Sequence, residues 1–258
     1  MAEWEPNKKR AASLVEEAYL HYSPLPGCPL CGGSEFKDYG TKKYKTIKFV
    51  KCDCGMVFQS TYFTPEDLDT YYKNLYRLCV IPYEDGVTET NVRGEYRSGK
   101  RYMQFVNGIT PKRHLDIGSS TGSFLKMMQD AHGCESLGVE PGDVFREYSI
   151  DSGINTVANL SEVVGKYDLI TMAHVLEHFT DPLDRLRTVS DLLEDNGLLF
   201  IEVPYMSVAH SHPLLFNKTT LEKLLNKAGF DIIKSQQHSF MRILAIAMKR
   251  RTDDTHNT

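Results

Sequence analysis

Long apolar runs are missing from this chain of 258 residues. No stretch of about 18 consecutive apolar residues occurs, which excludes a membrane-spanning helix as the organising element. The opening residues Met1-Ala2-Glu3-Trp4-Glu5 lack the basic and then apolar succession of a secretory signal. A soluble, cytoplasmic protein with no membrane partner is expected. An excess of positive charge is missing as well: 30 Lys and Arg stand against 34 Asp and Glu, a formal net charge of −4. General nucleic-acid binders carry a basic footprint, and on that ground nucleic acid is not expected as a partner. Disorder is not expected either, because 41% of the residues are hydrophobic. That is enough to bury a sizeable core in one large domain, or in a large domain with a small appendage.

Cysteine is sparse but bunched. Cys28, Cys31, Cys52 and Cys54 fall together, while Cys79 and Cys134 stand apart. Without a secretory signal, such a cluster favours a metal over disulfides. Cys28-Pro29-Leu30-Cys31-Gly32-Gly33 and Cys52-Asp53-Cys54-Gly55 each run into glycine, where the chain can turn so that thiolates and backbone N–H groups converge. Four thiolates fill a tetrahedral Zn2+ site and leave no position for water, so the zinc is expected to be structural. The alternative is four separate buried thiols. The alternating stretch from Lys45 to Val50 and the resumption at Met56-Val57-Phe58 predict strands, and a small zinc ribbon over about 25–60. A short amphipathic helix is expected before it, over 11–22.

Thr64-Pro65-Glu66-Asp67 predicts a helix start, followed by Tyr71, Tyr72, Leu75 and Tyr76. These tyrosines suit either a pocket wall or a joint between ribbon and main domain. Residues 81–93, with Pro82 and Gly86, read as a loop able to order over a ligand. Tyr96, Arg97, Arg101, Tyr102 and Phe105 predict a helix.

From His114 onward, strands and helices alternate. Strands are expected at 114–118, 136–139, 155–158, 167–172 and 198–203. Helices are expected at 123–131, 143–151, from Asp181-Pro182 to Gly197, and from Thr219-Thr220 to Gly229. Two strands, 230–235 and 239–249, close the chain as an antiparallel pair. This alternation predicts an α/β fold, a doubly wound Rossmann-like mixed seven-stranded sheet. The expected domains are 1–62 (helix and ribbon), 63–109 (helical linker and substrate lid) and 110–258 (cofactor-binding domain).

The glycine-rich turn Gly118-Ser119-Ser120-Thr121-Gly122-Ser123 follows the first strand of that domain. In such sheets the ligand lies over the carboxyl ends of the strands. The third glycine of the dinucleotide fingerprint is absent, but Glu140 ends the next strand, where a carboxylate takes two ribose hydroxyls. Ribose recognition is therefore expected without pyrophosphate recognition.

His114-Leu115-Asp116-Ile117-Gly118 through Gly122, Val139-Glu140-Pro141, Tyr167-Asp168-Leu169-Ile170 with His174-Val175-Leu176-Glu177-His178, and Asn196-Gly197 through Pro204 together resemble the class I S-adenosylmethionine-dependent methyltransferases over about 110–250. The resemblance implies that Asp116, Gly118 and Gly122 surround the methionine part of S-adenosyl-L-methionine. It implies that Glu140 holds the ribose and that Asn159 or Leu160 borders the adenine. Ser120, Phe124, Pro141, Ala173 and His174 fall on the same loops and are implied cofactor contacts. The cysteine pairs, with Val57-Phe58-Gln59 and the Thr64 helix start, resemble the zinc-bearing leader of a subgroup that methylates sugars, nucleotide-linked sugars and related small metabolites. A small-molecule acceptor, such as a sugar nucleotide, is implied.

His174-Val175-Leu176-Glu177-His178 also matches H-x-x-E-H, the inverted zinc-protease signature. That reading requires a continuous helix, whereas this motif follows directly on a buried strand. Methyl transfer to a hydroxyl calls for a general base, and imidazole titrates near neutrality. His174, His178, His210 and His212 are candidates, with the first two ranked ahead, and Tyr205 could orient the acceptor. Transfer to nitrogen or carbon, a ribbon-guided macromolecular methyltransferase, and a cofactor-binding module without catalysis are the alternatives.

Overall fold

The structure is a computed structural model that describes residues 22–40, 47–64, 67, 86–209 and 211–250. Residues 11–21 of the helix expected over 11–22, most of the helix after Thr64 with its tyrosines, Cys79 and His210 lie outside the described residues, and Tyr22 itself opens a strand.

A seven-stranded mixed sheet organises the chain. Its strands are β6 (Arg113–Ile117), β7 (Glu135–Val139), β8 (Thr156–Val157), β9 (Tyr167–Ala173), β10 (Leu193–Pro204), β12 (Phe230–His238) and β13 (Arg242–Lys249). They lie in the order β12-β13-β10-β9-β6-β7-β8. All but one run in the same direction, and β13 is antiparallel to both its neighbours, β10 and β12. The doubly wound, Rossmann-like expectation is met. The order reverses between β6 and β9, so the crevice for a ligand opens over their carboxyl ends.

Five α-helices have their bounds among the described residues, α1 (Glu89–Phe105), α2 (Ser123–His132), α3 (Asp143–Asp151), α4 (Pro182–Leu192) and α5 (Lys218–Lys227), beside short 3-10 turns at Leu160–Glu162 and Leu176–His178. Successive strand side chains point to opposite faces, and β10 shows both faces covered. Phe200 faces a cluster with Tyr102, Phe105 and Phe124 from α1 and α2. Leu199 and Ile201 face the other way, into a cluster with Leu186, Leu221 and Leu224 from α4 and α5. All three β10 residues are fully buried, each contributing about 1.5–3 kcal/mol.

Several boundaries differ from the sequence expectation. Helix α1 begins at Glu89, inside the expected loop over 81–93, because Thr88 and Asn91 form a reciprocal capping box there. Helix α4 stops at Leu192 rather than Gly197. Gly197 instead sits in an irregular stretch of β10, where a Cβ would lie 3.0 Å from the Tyr167 carbonyl. Helix α5 is capped by Asn217 with Thr220, two residues before the expected start.

The ribbon sheet is four-stranded. Its strands β2 (Phe36–Asp38), β3 (Phe49–Cys52) and β4 (Val57–Gln59) are joined by β11 (Leu214–Leu215) from the far end of the chain, in the order β11-β4-β3-β2. A separate pair joins β1 (Tyr22–Pro24) to β5 (Thr61–Phe63). Cys28, Leu30, Met56 and Phe58 share the α4/α5 hydrophobic cluster. Lys223 Nζ donates to the Cys54 carbonyl at 2.9 Å and Lys227 Nζ to that of Leu30 at 2.7 Å. Both cysteine turns are thus fastened to α5. No helix among the described residues is long and apolar enough to cross a membrane.

Candidate active site

The four ribbon thiols converge as their spacing predicts. All four Sγ atoms lie within 4.8 Å of one another, with Cys28–Cys54 and Cys31–Cys52 each at 3.5 Å. Thiolates on one zinc at about 2.3 Å stand roughly 3.8 Å apart, so the set fits the ion. The Gly33 N–H points at Cys31 Sγ at 3.4 Å, supplying the outer hydrogen bond such sites use. This is a four-cysteine cluster consistent with a structural zinc site.

The glycine-rich turn after β6 is strained where its pattern departs from glycine. Gly118, Ser120 and Gly122 all have positive φ, at 76°, 50° and 74°. A side chain in that region costs about 1–2 kcal/mol, and Ser120 has compensating bonds. Its hydroxyl donates to Glu95 Oε1 at 2.6 Å and its N–H to Glu140 Oε2 at 2.9 Å. Gly118 is required for space as well: a Cβ there would come within 2.4 Å of Val175. The donor turn therefore touches the loop after β9.

Three carboxylates line this turn. Asp116 accepts from the Thr171 hydroxyl at 2.5 Å, and that hydroxyl accepts from His114 Nε2 at 2.9 Å. Burial, with the nearby charges of Glu95 and Glu140, raises Asp116 to about 7. Burial also raises Glu95 and Glu140, against the hydrogen bonds they accept. Burial lowers His114 to about 3 and keeps it neutral. A pocket of clustered acids is an electrostatic match for a sulfonium bearing an ammonium group. Glu95 was not singled out in the sequence. It lies on α1, outside any motif, and only its position on the helix flank facing the turn could have marked it.

The other implied cofactor residues are placed unevenly. Glu140 also accepts from Gly142 N–H at 2.7 Å, and Pro141 follows it at the rim. Asn159 spends its amide locally, donating to Glu162 Oε1 at 3.2 Å, while Leu160 packs against the core. Ala173 ends β9 beside Glu202. Phe124 turns inward between Tyr102 and His114, with ring centroids at 5.3 and 5.5 Å. The Phe124 ring therefore packs in the core, with Tyr102 and His114.

The histidines separate in the same way. His174, with φ 58°, bonds through Nε2 to Glu202 Oε1 at 2.9 Å, and its Nδ1 lies 3.5 Å from Glu177. Desolvation lowers its pKa, but the carboxylates of Glu177 and Glu202 outweigh it and hold His174 at about 9. It is an imidazolium at neutral pH and has no lone pair for an acceptor proton, which corrects its ranking as a base. Glu202 is fully buried and also takes Arg101 at 2.9 and 3.3 Å and the Tyr102 hydroxyl at 3.4 Å. His178 donates Nδ1–H to the Ser211 carbonyl at 2.7 Å, and desolvation lowers it to about 4. His212 donates Nδ1–H to the Ser207 carbonyl at 2.9 Å. Tyr205 packs on Phe240, centroids 5.6 Å apart, at the end of β10.

The ribbon reaches this region. Gln59 Nε2 donates to the Ala209 and His212 carbonyls at 3.2 and 3.0 Å, and the Tyr62 hydroxyl to that of Ser211 at 3.4 Å. The loop carrying His212 is thus held by β4 and β5. A cavity of about 500 Å³ between α1, α2 and α3, lined by Val92, Tyr96, Lys126 and Tyr148, lies on the outer flank of the turn, away from the histidines.

The strand order, the acid-lined turn after β6 and the acid ending β7 define the class I S-adenosylmethionine-dependent methyltransferase fold. A family model described as a methyltransferase domain matches residues 90–235, and the chain belongs to that family. Among curated relatives, the tRNA U34 carboxymethyltransferase of Syntrophotalea carbinolica is 28% identical over 214 residues, covering 70% of this chain and 66% of that one. The ubiquinone biosynthesis O-methyltransferase of Shewanella halifaxensis is 32% identical over 108 residues, covering 38% and 45%. The matches thus span less than two thirds of these relatives' own lengths. Among solved structures, the 1,6-didemethyltoxoflavin-N1-methyltransferase of Burkholderia thailandensis superposes with a TM-score of 0.58 at 17% identity, over 84% of this chain and 100% of that one. The magnesium protoporphyrin IX methyltransferase of Synechocystis does so with 0.55 at 14% identity, over 72% and 100%. Both share the fold.

The tRNA-modifying relatives overturn the expectation that nucleic acid is an improbable partner. That expectation rested on net charge, which sums the whole surface and is blind to a local groove.

Proposed function

We propose that the chain transfers the methyl group of S-adenosyl-L-methionine to an acceptor hydroxyl, with a sugar or nucleotide-linked sugar the first class to test. The observation that carries the reading is continuity: the acid-lined donor turn abuts the loop 174–178 through Gly118 and Val175, and that loop abuts the loop carrying His212 through His178 and Ser211. In this reading Asp116, Glu95 and Glu140 hold the cationic donor, and the acceptor enters beside His178 and His212. The acceptor O–H gives up its proton, the oxygen pair forms the O–CH3 bond, and the S–CH3 pair stays on sulfur as the neutral thioether leaves. Desolvating a sulfonium beside an anionic oxygen favours this charge-cancelling step. His178 and His212 are the groups able to take the proton, and His174 positions the loop. The segment 63–109 acts as linker and lid, with α1 joining it to the donor turn through Glu95 and to β10 through Arg101.

The sugar assignment rests on the likeness of the cysteine leader and of the donor motifs. A second reading, a polynucleotide acceptor, is favoured by the tRNA-modifying relative aligned over 70% of the chain. Calorimetry with S-adenosylmethionine and S-adenosylhomocysteine, followed by transfer assays on a sugar-nucleotide panel and on tRNA, tests both. Binding of neither cofactor form would sink the reading. Methylation of tRNA with none of the panel would replace the sugar acceptor.

A further inference from the structure

The motif H-x-x-E-H is only partly used by the arrangement above. Its first histidine is drawn to Glu202, while Glu177 and His178 face His212 from the loop after β10. One ligand atom from each of Glu177, His178 and His212 lies within 4.8 Å of the others. Each ring donates Nδ1–H to a backbone carbonyl, His178 to Ser211 at 2.7 Å and His212 to Ser207 at 2.9 Å. Those bonds fix the tautomer with the lone pair on Nε2 and lock the ring, which is how metal-binding imidazoles are oriented. Glu177 supplies a second, independent observation. Its side chain is 1% exposed, and neither carboxylate oxygen has a hydrogen-bond partner among the described residues. His174 Nδ1, at 3.5 Å, is outside good bonding distance. Only long ion pairs, to His174 at 3.5 Å and to His178 Nε2 at 4.0 Å, face this buried carboxylate; leaving its oxygens without hydrogen bonds is costly, and a coordinated cation removes that cost.

We propose that Glu177, His178 and His212 bind a divalent metal ion, distinct from the ribbon zinc, whose open positions face the acceptor. Two imidazoles and one carboxylate form a set with room for further ligands. The mixed nitrogen and oxygen donors favour zinc, manganese or iron(II) over magnesium or calcium, which take shells of oxygen. Ligand atoms on an ion at about 2.1 Å stand roughly 3–3.5 Å apart, so the side chains close by about 1 Å on binding. The inverted-protease assignment is not met, since its first histidine points elsewhere and its glutamate becomes a ligand. The role of the ion rests on the methyl-transfer reading. A hydroxyl bound to it would lose its proton to water more readily; with the ion in place His178 and His212 hold it, and the proton-accepting role given them above belongs to the metal-free site alone.

The test is metal stoichiometry on the full chain with its ribbon zinc retained. Mn2+ titration followed by electron paramagnetic resonance, together with elemental analysis, should give one zinc per chain plus one Mn2+ equivalent. Glu177→Gln and His212→Gln should each weaken the Mn2+ equivalent by 10-fold or more, leaving ribbon zinc and S-adenosylhomocysteine binding intact. Glu177 is buried and its variant can fail to fold; His212→Gln, on the partly exposed loop, then decides the matter. No Mn2+ equivalent in the wild type, or one that survives His212→Gln unchanged, overturns the site. Cofactor binding without the Mn2+ equivalent would overturn the site alone, while Mn2+ uptake without cofactor binding would overturn only the methyl-transfer reading.

Discussion

Arg101→Met tests how the charge buried under the candidate site is held. Glu202 is 0% exposed on β10, and Arg101 approaches both its oxygens, at 2.9 and 3.3 Å. Methionine keeps an unbranched stem that can fill much of the same space, so the perturbation is mainly electrostatic. Removing one partner of a buried pair costs about 3–5 kcal/mol, because the other charge is left uncompensated. Here His174 at 2.9 Å and the Tyr102 hydroxyl at 3.4 Å remain, which places the expected loss at the lower end, about 3 kcal/mol. At about 2–4 °C per kcal/mol for a chain of this size, Tm should fall by about 6–12 °C. Urea and thermal unfolding measure both quantities. Adding Glu202→Leu removes the buried carboxylate, and the double variant should recover to within about 1–2 kcal/mol of wild type, since apolar replacement of a whole buried pair is often near neutral. A single variant within about 0.5 kcal/mol of wild type, or a double variant no better than the single, would refute the dependence of Glu202 on Arg101.

Donor affinity should depend on pH through Asp116. Its carboxyl is held at about 7, above the ordinary range, so the anion that attracts a cationic donor forms only as pH rises through that value. Affinity for S-adenosylmethionine should rise about tenfold between pH 6 and pH 8, and Asp116→Asn should flatten the profile; calorimetry giving a flat wild-type curve would count against the pocket. At Ser120, two substitutions should diverge in denaturant midpoint. Ser120→Ala keeps the left-handed strain and loses the bond to Glu95, costing about 1–3 kcal/mol, whereas Ser120→Gly relieves the strain and should cost less. Gln59→Ala should raise acceptor KM with little change in cofactor affinity, because Gln59 holds the His212 loop and does not touch the donor turn. Equal effects on both would contradict that separation. Cys31→Ser, which removes one ribbon ligand and leaves Glu177, His178 and His212 untouched, should lower Tm and reproduce the Gln59→Ala pattern.

What was legible in the sequence was what is local. The alternation of strands and helices after His114, the cysteine pairs before glycine, and the turn 118–123 with Glu140 all announce themselves within a few residues. What was missed is long-range. Glu95 caps the donor turn from a helix with no motif. Gln59 reaches Ala209 and His212 across the whole central domain, and β11 is two residues long, too short for any period to mark it. The helix from Pro182 was read past its end because Gly197 looks like a stop signal, whereas close packing against Tyr167 explains that glycine. The ranking of His174 as a base could not weigh Glu202, which lies on another strand and, together with Glu177, raises its pKa.

The borrowed strand β11 sets an order of events during synthesis. The four thiols can meet once Cys54 has been made, but the ribbon sheet is not closed until Leu214–Leu215 pairs with β4. The α5 lysines that bind the Leu30 and Cys54 carbonyls come later still. Through most of elongation the cysteine turns are therefore open to metal, and they are shut in by the last third of the chain. The expected consequence is kinetic: zinc enters early and quickly, then exchanges slowly from the finished fold, with release limited by the undocking of α5 rather than by the strength of the metal–sulfur bonds.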